Sequence, residues 1–284
     1  MNLSYSNVRA CSGAAFNSGV SACAFEPGKI KALILTQHGV SLPATLSASA
    51  LEQACHADRP NRIYPIKMIV NYEPNGGEVQ TQDVGYGPTK ISGYSAKADT
   101  WTLDNYDENL RQCIANAKGA RFDMFLVDDE NVVYGMREGS TMVGIPLAGV
   151  AFGGQSFSTA DAQASLTITT YYQDWEAYVK EATIVQADFD VVEAINGLVF
   201  VDFVEGANAG GYKLVEHYSR TDITAIYGQA LATAGTSAID MTGTPTWAYE
   251  ASINELHQTG GTGDPTLKAP SVLQGLDILG IEGW

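Results

Sequence analysis

The sequence predicts a mainly β protein: a β-sandwich or barrel core with one or two flanking helices (α+β in detail), and a small C-terminal β-module. Three observations carry this. Short apolar or alternating runs such as Ile30–Thr36, Phe122–Val127 and Ala164–Tyr172 have strand length and period. Asn-Gly turn signals fall between such runs at Asn75-Gly76 and Asn196-Gly197. One segment in the first half has a clean helical apolar face.

In chain order, residues 1–28 mix Ser, Gly, Ala and Asn with isolated aromatics in neither period, and read as an extended arm. The β-rich core domain is expected over 29–205. Ile30-Lys31-Ala32-Leu33-Ile34-Leu35-Thr36 reads as its first strand. Ser49-Ala50-Leu51-Glu52 has the spacing of a capping box and predicts a short helix to about His56. A strand from Ile63 to Tyr72 follows, with Pro65 near its start, where a missing N–H donor is tolerated.

Pro74-Asn75-Gly76-Gly77 predicts a turn. Residues 78–103 then predict two or three antiparallel strands around Gly85-Tyr86-Gly87-Pro88. Asp104 is read as the cap of a helix from Asn105 to Lys118, whose Tyr106, Leu110, Cys113, Ile114 and Ala117 share a face. Asp107 and Glu108 suit its positive end and Gly119 ends it.

Phe122–Val127 is expected to pair with Val132–Met136 across the polar turn Asp128–Asn131, and Trp175–Val179 to form one helical turn. A hairpin is expected from Phe189 to Val204 with Asn196-Gly197 at its tip. Gly206-Ala207-Asn208-Ala209-Gly210-Gly211 reads as a linker to the module at 206–284, with strands at Tyr212–His217, Thr246–Ile253 and Thr266–Leu273.

Composition bounds the partners. Only 17% of the 284 residues are charged, against about a quarter in ordinary soluble domains, and 32 acids against 16 bases leave a net charge of −16. Phosphate contacts need clustered Lys and Arg, and the densest basic stretch is Lys29-Ile30-Lys31. The balance therefore disfavours nucleic-acid binding, while an acidic wall would let a duplex slide past. No stretch approaches the roughly 18 apolar residues of a membrane span, and Met1–Ser6 lacks the basic and apolar regions of a secretion signal. So little charge on a soluble chain points to surface hidden against copies of itself.

The residue patterns of common chemistries lead to no site. Cys11, Cys23, Cys55 and Cys113 lack the spacing of a zinc knuckle or redox dithiol. Four reduced thiols fit this pattern, as does a Cys11–Cys23 bridge in oxidising surroundings. His38, His56, His217 and His257 never pair at helical spacing and read as ordinary surface or loop residues.

Gly154-Gln155-Ser156-Phe157-Ser158 lacks the last glycine of a nucleophile elbow, and Gly85–Lys90 has the wrong spacing for a phosphate loop. Asp128-Asp129-Glu130 reads as a solvated hairpin tip rather than a calcium loop, for which the spaced ligands and glycine are missing. Tyr86, Tyr94 and Trp101, in strand-like segments, read as core or interface packing before sugar-binding aromatics. No catalytic, cofactor-binding or metal-ligating residue is assigned, no cofactor is expected, and the chain is read as a non-enzyme.

The arm, the β-sandwich or barrel with its helix, and the hairpins together resemble the tube-forming and neck proteins of tailed bacteriophages. The run Leu267-Lys268-Ala269-Pro270-Ser271-Val272-Leu273, followed by Leu279-Gly280-Ile281-Glu282-Gly283, resembles the ends of immunoglobulin-like modules on phage virion proteins. The resemblance implies a virion protein, assembled in the host cytoplasm, whose partners are copies of itself in a homo-hexameric ring or tube and other virion proteins. DNA would pass through its lumen without specific binding.

The chain is longer than a minimal tube subunit, so a capsid or collar decoration role stays open, as does a carbohydrate-binding adhesin or glycan hydrolase. The contact regions expected are the arm before Lys29, the hairpin tip near Asn75 and the acidic tip near Asp128.

Overall fold

A computed structural model describes residues 27–284 apart from 84, 105, 106, 118 and 140. The described chain forms two compact units, one of residues 27–51 and Ile63–Ile195, the other of Glu52–Arg62 and Asn196–Trp284. Strand is the main regular structure of both, as the sequence predicts. Most of the expected arm, residues 1–26, lies outside the described residues.

The first unit contains β1 (Ile30–Gln37), the start of α1 (Ala48–Cys55), β2 (Ile63–Ile66), β3 (Ile69–Gly76), β4 (Val79–Gln82), β5 (Lys90–Tyr94) and β6 (Lys97–Leu103). It continues with α2 (Glu108–Asn116), β7 (Phe122–Asp128), β8 (Val132–Glu138), β9 (Thr141–Val143), β10 (Ile145–Ser156), β11 (Ser165–Tyr172), α3 (Trp175–Glu181), β12 (Ala182–Gln186) and α4 (Val191–Ala194). The large sheet runs β12-β8-β7-β10-β11-β6-β3, with β1 on β7, β2 on β1 and β9 on β8, all antiparallel.

β10 connects the two halves of this sheet. Its start pairs with β7 at Ile145–Met124, and its remainder pairs with β11 through two register shifts. Such bulges bend a strand and increase its twist. Residues at i and i+2 from five strands then meet in one core: Leu33 and Leu35, Trp101 and Leu103, Met124 and Leu126, Ile145 and Leu147, Leu166 and Ile168. This is the period-2 pattern that the sequence displays.

Several expectations are corrected locally. The strand from Ile63 to Tyr72 is two strands, broken at Met68, whose φ of 63° interrupts extended backbone. Ser47 rather than Ser49 caps α1, its Oγ accepting from the Ala50 N–H at 3.2 Å. Asp107 rather than Asp104 caps α2, accepting from the N–H groups of Asn109 and Leu110. Asn105, Tyr106 and Lys118 of that expected helix lie outside the described residues.

Asn75-Gly76 does not turn the chain, because Asn75 pairs with Ala98 inside β3. A type I′ turn needs positive φ at both central residues. Here Gly76 and Gly77 carry it instead (70° and 78°), so the strand kinks and continues into β4. A Cβ at Gly76 would lie 1.9 Å from the Ala96 carbonyl oxygen, which excludes any other residue.

The second unit contains the end of α1, then β13 (Val199–Glu205), β14 (Gly211–Glu216), α5 (Thr224–Ala234), a 3₁₀ turn, β15 (Ile239–Glu250), β16 (Glu255–Leu267), α6 (Pro270–Gln274) and β17 (Ile281–Gly283). Its single five-stranded sheet runs β15-β16-β14-β13-β17, with β17 parallel to β13. This is one sheet carrying a helix, not the two facing sheets of an immunoglobulin-like module.

Helix α5 lays Leu231 into a core with Val201, Leu214, Ile239, Leu256 and Ile281. It packs so closely that a Cβ at Gly228 would lie 2.6 Å from the Tyr249 ring. The expected strand at Thr266–Leu273 ends at Leu267 and gives way to α6. That at Thr246–Ile253 is the end of the longer β15, which stops at Glu250.

The expected hairpin around Asn196-Gly197 is absent. Asp190 accepts from the Glu193 N–H at 2.9 Å and starts α4 where a strand was expected. β13 pairs instead with β14, so the expected linker Gly206–Gly211 is the turn of that hairpin, closed by Gly206 N–H to Gly211 O at 2.7 Å.

Candidate assembly interface

The three expected contact regions fare differently. The acidic tip is solvated only in part: Asp129 and Glu130 are exposed, whereas Asp128 is fully buried and accepts four hydrogen bonds. Its Oδ1 takes the N–H groups of Glu130 and Val132, both at 2.9 Å. Its Oδ2 takes the Tyr134 hydroxyl at 2.6 Å and the Gly28 N–H at 3.1 Å. Asp129 accepts from the Lys29 N–H at 2.9 Å.

The tip thus fastens the chain at the point where the expected arm would join the core. A fully satisfied buried carboxylate is a structural staple. Burial first, then the Asp128 hydrogen bond, pushes the Tyr134 phenol well above its ordinary range.

The hairpin region near Asn75 extends further than expected. β3 and β6 form its base, β4 and β5 continue it, and Gly85-Tyr86-Gly87-Pro88 lies in its tip rather than Asn75. The base is fixed by buried Asp99, which pairs with Lys97 Nζ at 2.7 Å and accepts from the Tyr172 hydroxyl at 2.6 Å and the Tyr72 hydroxyl at 3.3 Å. Lys97 also lies over the Trp175 ring, whose Nε1 donates to the Gly77 carbonyl at 3.2 Å.

Tyr72 stacks on Trp101 at 4.7 Å, and Trp101 Nε1 donates to Thr170 Oγ1 at 3.0 Å. Burial, then Asp99, raises the Tyr72 and Tyr172 phenols, so both stay protonated donors.

Beyond Gly77 the support ends. Every residue of β4 is exposed, as are Lys90, Ile91 and Ser92 of β5. Val79 is 52% exposed, Ile91 73%, and Tyr86 at the tip is fully exposed. Ile91 and Tyr94 line, with Val179 of α3, a cleft of about 260 Å³. Alongside, β3 is an end strand of its sheet and exposes Val70 and Tyr72. Pro74 in β3 suits an end strand, which can lack a donor. Of the three aromatics named from the sequence, Trp101 is core, Tyr94 is half-buried and Tyr86 is the exposed tip.

The remaining candidates are placed as follows. His38 Nδ1 hydrogen-bonds Asp123 and His217 Nδ1 hydrogen-bonds Asp202, each at 2.8 Å, while His257 lies 3.5 Å from buried Glu255. His56 is buried, which lowers its pKa. His38, exposed in a turn, and His217, in a turn, match the surface or loop placement expected, whereas His56 is buried and His257 lies half-buried in β16. No group of three metal-ligating side chains occurs among the described residues. Ser156 lies at the end of β10 with its Oγ 2.8 Å from Ser165 Oγ, and Thr89 Oγ1 donates to Asp83 at 2.8 Å in the hairpin tip. Cys55 is buried and Cys113 half-buried; Cys11 and Cys23 lie outside the described residues.

No protein-family model matches the chain, and no curated protein matches it in sequence. Among solved structures, the anti-feeding prophage cap, a tube-terminating cap, is similar over 60% of this chain and 99% of that chain, with 12% identity and a TM-score of 0.29. A likeness of that size carries no argument about role. No helix among the described residues is long and apolar enough to cross a membrane.

Proposed function

We propose that the chain is a non-enzymatic structural subunit of a tailed-phage or phage-tail-like particle. It assembles with copies of itself into a ring or tube, most simply a six-fold tail-tube or neck component through which DNA passes. The observation that carries this reading is the ribbon formed by β4 and β5, which bears Val79, Tyr86 and Ile91 into solvent. An isolated two-stranded hairpin is marginal in water, and a projecting apolar edge invites pairing with another chain.

The β3 edge beside it offers backbone donors and acceptors for strand addition. Contact between a ribbon and a different surface of the next copy is heterologous, and heterologous contacts close into rings or extend into tubes. Few charges ease the burial of such faces, and the net charge of −16 suits a lumen that repels DNA.

The test is light scattering of the purified chain at rising concentration, with negative-stain images of the same samples. Rings or tubes are expected, and replacing Val79, Tyr86 and Ile91 together with Thr, Ser and Thr should leave a monomer. A strict monomer at every concentration, or unchanged assembly by the triple variant, overturns the reading.

A further inference from the structure

We infer that the second unit carries a binding cleft for a neutral saccharide, independent of the ribbon and of the assembly reading. The cleft has a volume of about 500 Å³ and is lined by Asp58, Arg59, Arg62, Phe200, Glu282 and Trp284 among others. That size falls within the ~300–1,000 Å³ of small-ligand sites, which pair an apolar lining with a few convergent polar groups.

Its floor is an aromatic platform. The Trp284 ring stacks on His217 at 4.0 Å and 21° and meets the edges of Phe200 at 5.0 Å and Tyr218 at 5.5 Å. The Trp284 N–H donates to the Val201 carbonyl at 3.1 Å, which ties its backbone to β13. His217 is itself held by Asp202 at 2.8 Å. One face of the indole is covered by His217, and Trp284 as a whole is 62% exposed. An exposed indole held in place by its neighbours suits the C–H groups of a pyranose ring, the apolar side of an otherwise polar molecule.

The polar groups fit the same ligand. Arg62 is buried and grips Glu282 with two bonds, at 2.5 and 3.1 Å, while its Nε donates to the Ala57 carbonyl at 2.7 Å. Arg59 is half-exposed, lies over the Phe200 ring at 5.5 Å and reaches Glu282 at 3.5 Å. Asp58 accepts from the Ser271 N–H at 3.2 Å and from its hydroxyl at 2.5 Å. Planar guanidinium and carboxylate groups in fixed positions suit pairs of neighbouring hydroxyls.

The charged side chains of the lining, two Arg and two acids, balance. A phosphate or carboxylate ligand would have to displace Glu282 from the guanidiniums, and a cation would meet Arg59. A neutral polyol meets neither penalty. Both carboxylates are held by partners, so the arrangement binds a glycan and is not set to cleave one.

The test titrates the full chain with neutral trisaccharides of glucose, galactose, mannose and N-acetylglucosamine, using calorimetry and saturation-transfer NMR. At least one should bind saturably. Trp284→Ala should weaken it by about tenfold or more, Trp284→Phe should restore most of the affinity, and Arg59→Gln should weaken it less. Light scattering of these variants should stay unchanged, which separates this outcome from failure of the assembly reading. No binding by any member at about 10 mM, or binding that Trp284→Ala leaves intact, overturns the inference. Inorganic phosphate or an unstructured peptide binding more tightly than every trisaccharide does so as well.

Discussion

The β13–β14 hairpin of the second unit and the β3–β6 hairpin of the first are fastened at opposite ends. The former is secured at its turn, where buried Glu255 accepts from the Ala207 N–H at 2.6 Å and from Asn208 Nδ2 at 3.2 Å. Gly206 and Gly211 are small because that carboxylate fills the space: a Cβ at either would fall 2.5–2.6 Å from it. The latter is secured at its base by Asp99, Lys97 and Trp175, and its far half lies in solvent with apolar side chains showing. Buried polar networks fix a hairpin within its own fold, whereas the apolar side chains of the ribbon gain little from theirs.

Breaking the base should have the largest effect. Asp99→Ala leaves the Lys97 ammonium buried without its counter-charge and strips two phenols of their acceptor. A loss of about 3–5 kcal/mol is expected for an orphaned buried charge, read from the urea midpoint of the first unit. A loss under about 1 kcal/mol would mean that water reaches the pair and that the base is not fixed by it.

Crowding the turn comes next. Gly211→Ala puts a methyl group against Glu255 Oε2 and should cost about 1–3 kcal/mol, the usual cost of overpacking, in the unfolding of the second unit. An unaffected midpoint would show that the turn yields, and would remove the contrast with the ribbon.

Glu255 also makes that turn sensitive to acid. The Ala207 N–H first, and then Asn208 and His257, hold its carboxyl below the ordinary value of 4.5, against the opposing effect of burial. A carboxyl with a depressed folded pKa contributes stability that is fully present above the unfolded value and is lost as pH falls through the folded one. The thermal midpoint of the second unit should therefore fall on acidification below about pH 5. Glu255→Gln should start lower at neutral pH and show a flatter slope. Parallel slopes in the two proteins would assign the acid sensitivity to other carboxylates.

These hairpins also show what the sequence makes legible. The β1, β7, β8 and β11 segments are read almost to the residue, because the continuous apolar runs of the first three and the alternation of β11 record burial that side-chain chemistry alone decides. Asn75-Gly76, Asn196-Gly197 and Gly206–Gly211 mislead for one reason: glycine marks a position without naming its cause. At Gly76 the cause is a kink against Ala96, and at Gly206 and Gly211 it is a carboxylate from a strand some fifty residues away. At Asn196-Gly197 neither residue takes positive φ at all.

Helix α5 carries no usable signal, since its Gly228 answers to Tyr249 across the core and Ile223 at its N-terminus makes no side-chain cap. Its N-terminus is held instead by Asp222 Oδ1, which accepts from the Thr224 N–H at 2.9 Å. The cleft at Trp284 was equally hidden, because Arg59, Phe200, His217 and Glu282 come from four distant segments.

The smallest effect on stability should come from the ribbon itself. Val79→Thr and Ile91→Thr remove apolar surface that the isolated chain already exposes, so unfolding should shift by no more than about 0.5 kcal/mol. The same positions should dominate association, because apolar groups that gain nothing on folding gain most when a neighbour covers them. Hydrogen exchange separates the two. Amides of 79–82 and 90–94 should exchange rapidly in dilute protein, as two exposed strands must, and slow once particles form. Strong protection of those amides in the monomer would show that the ribbon is already stabilised by its own unit, and its exposed valine, tyrosine and isoleucine would then need a different explanation.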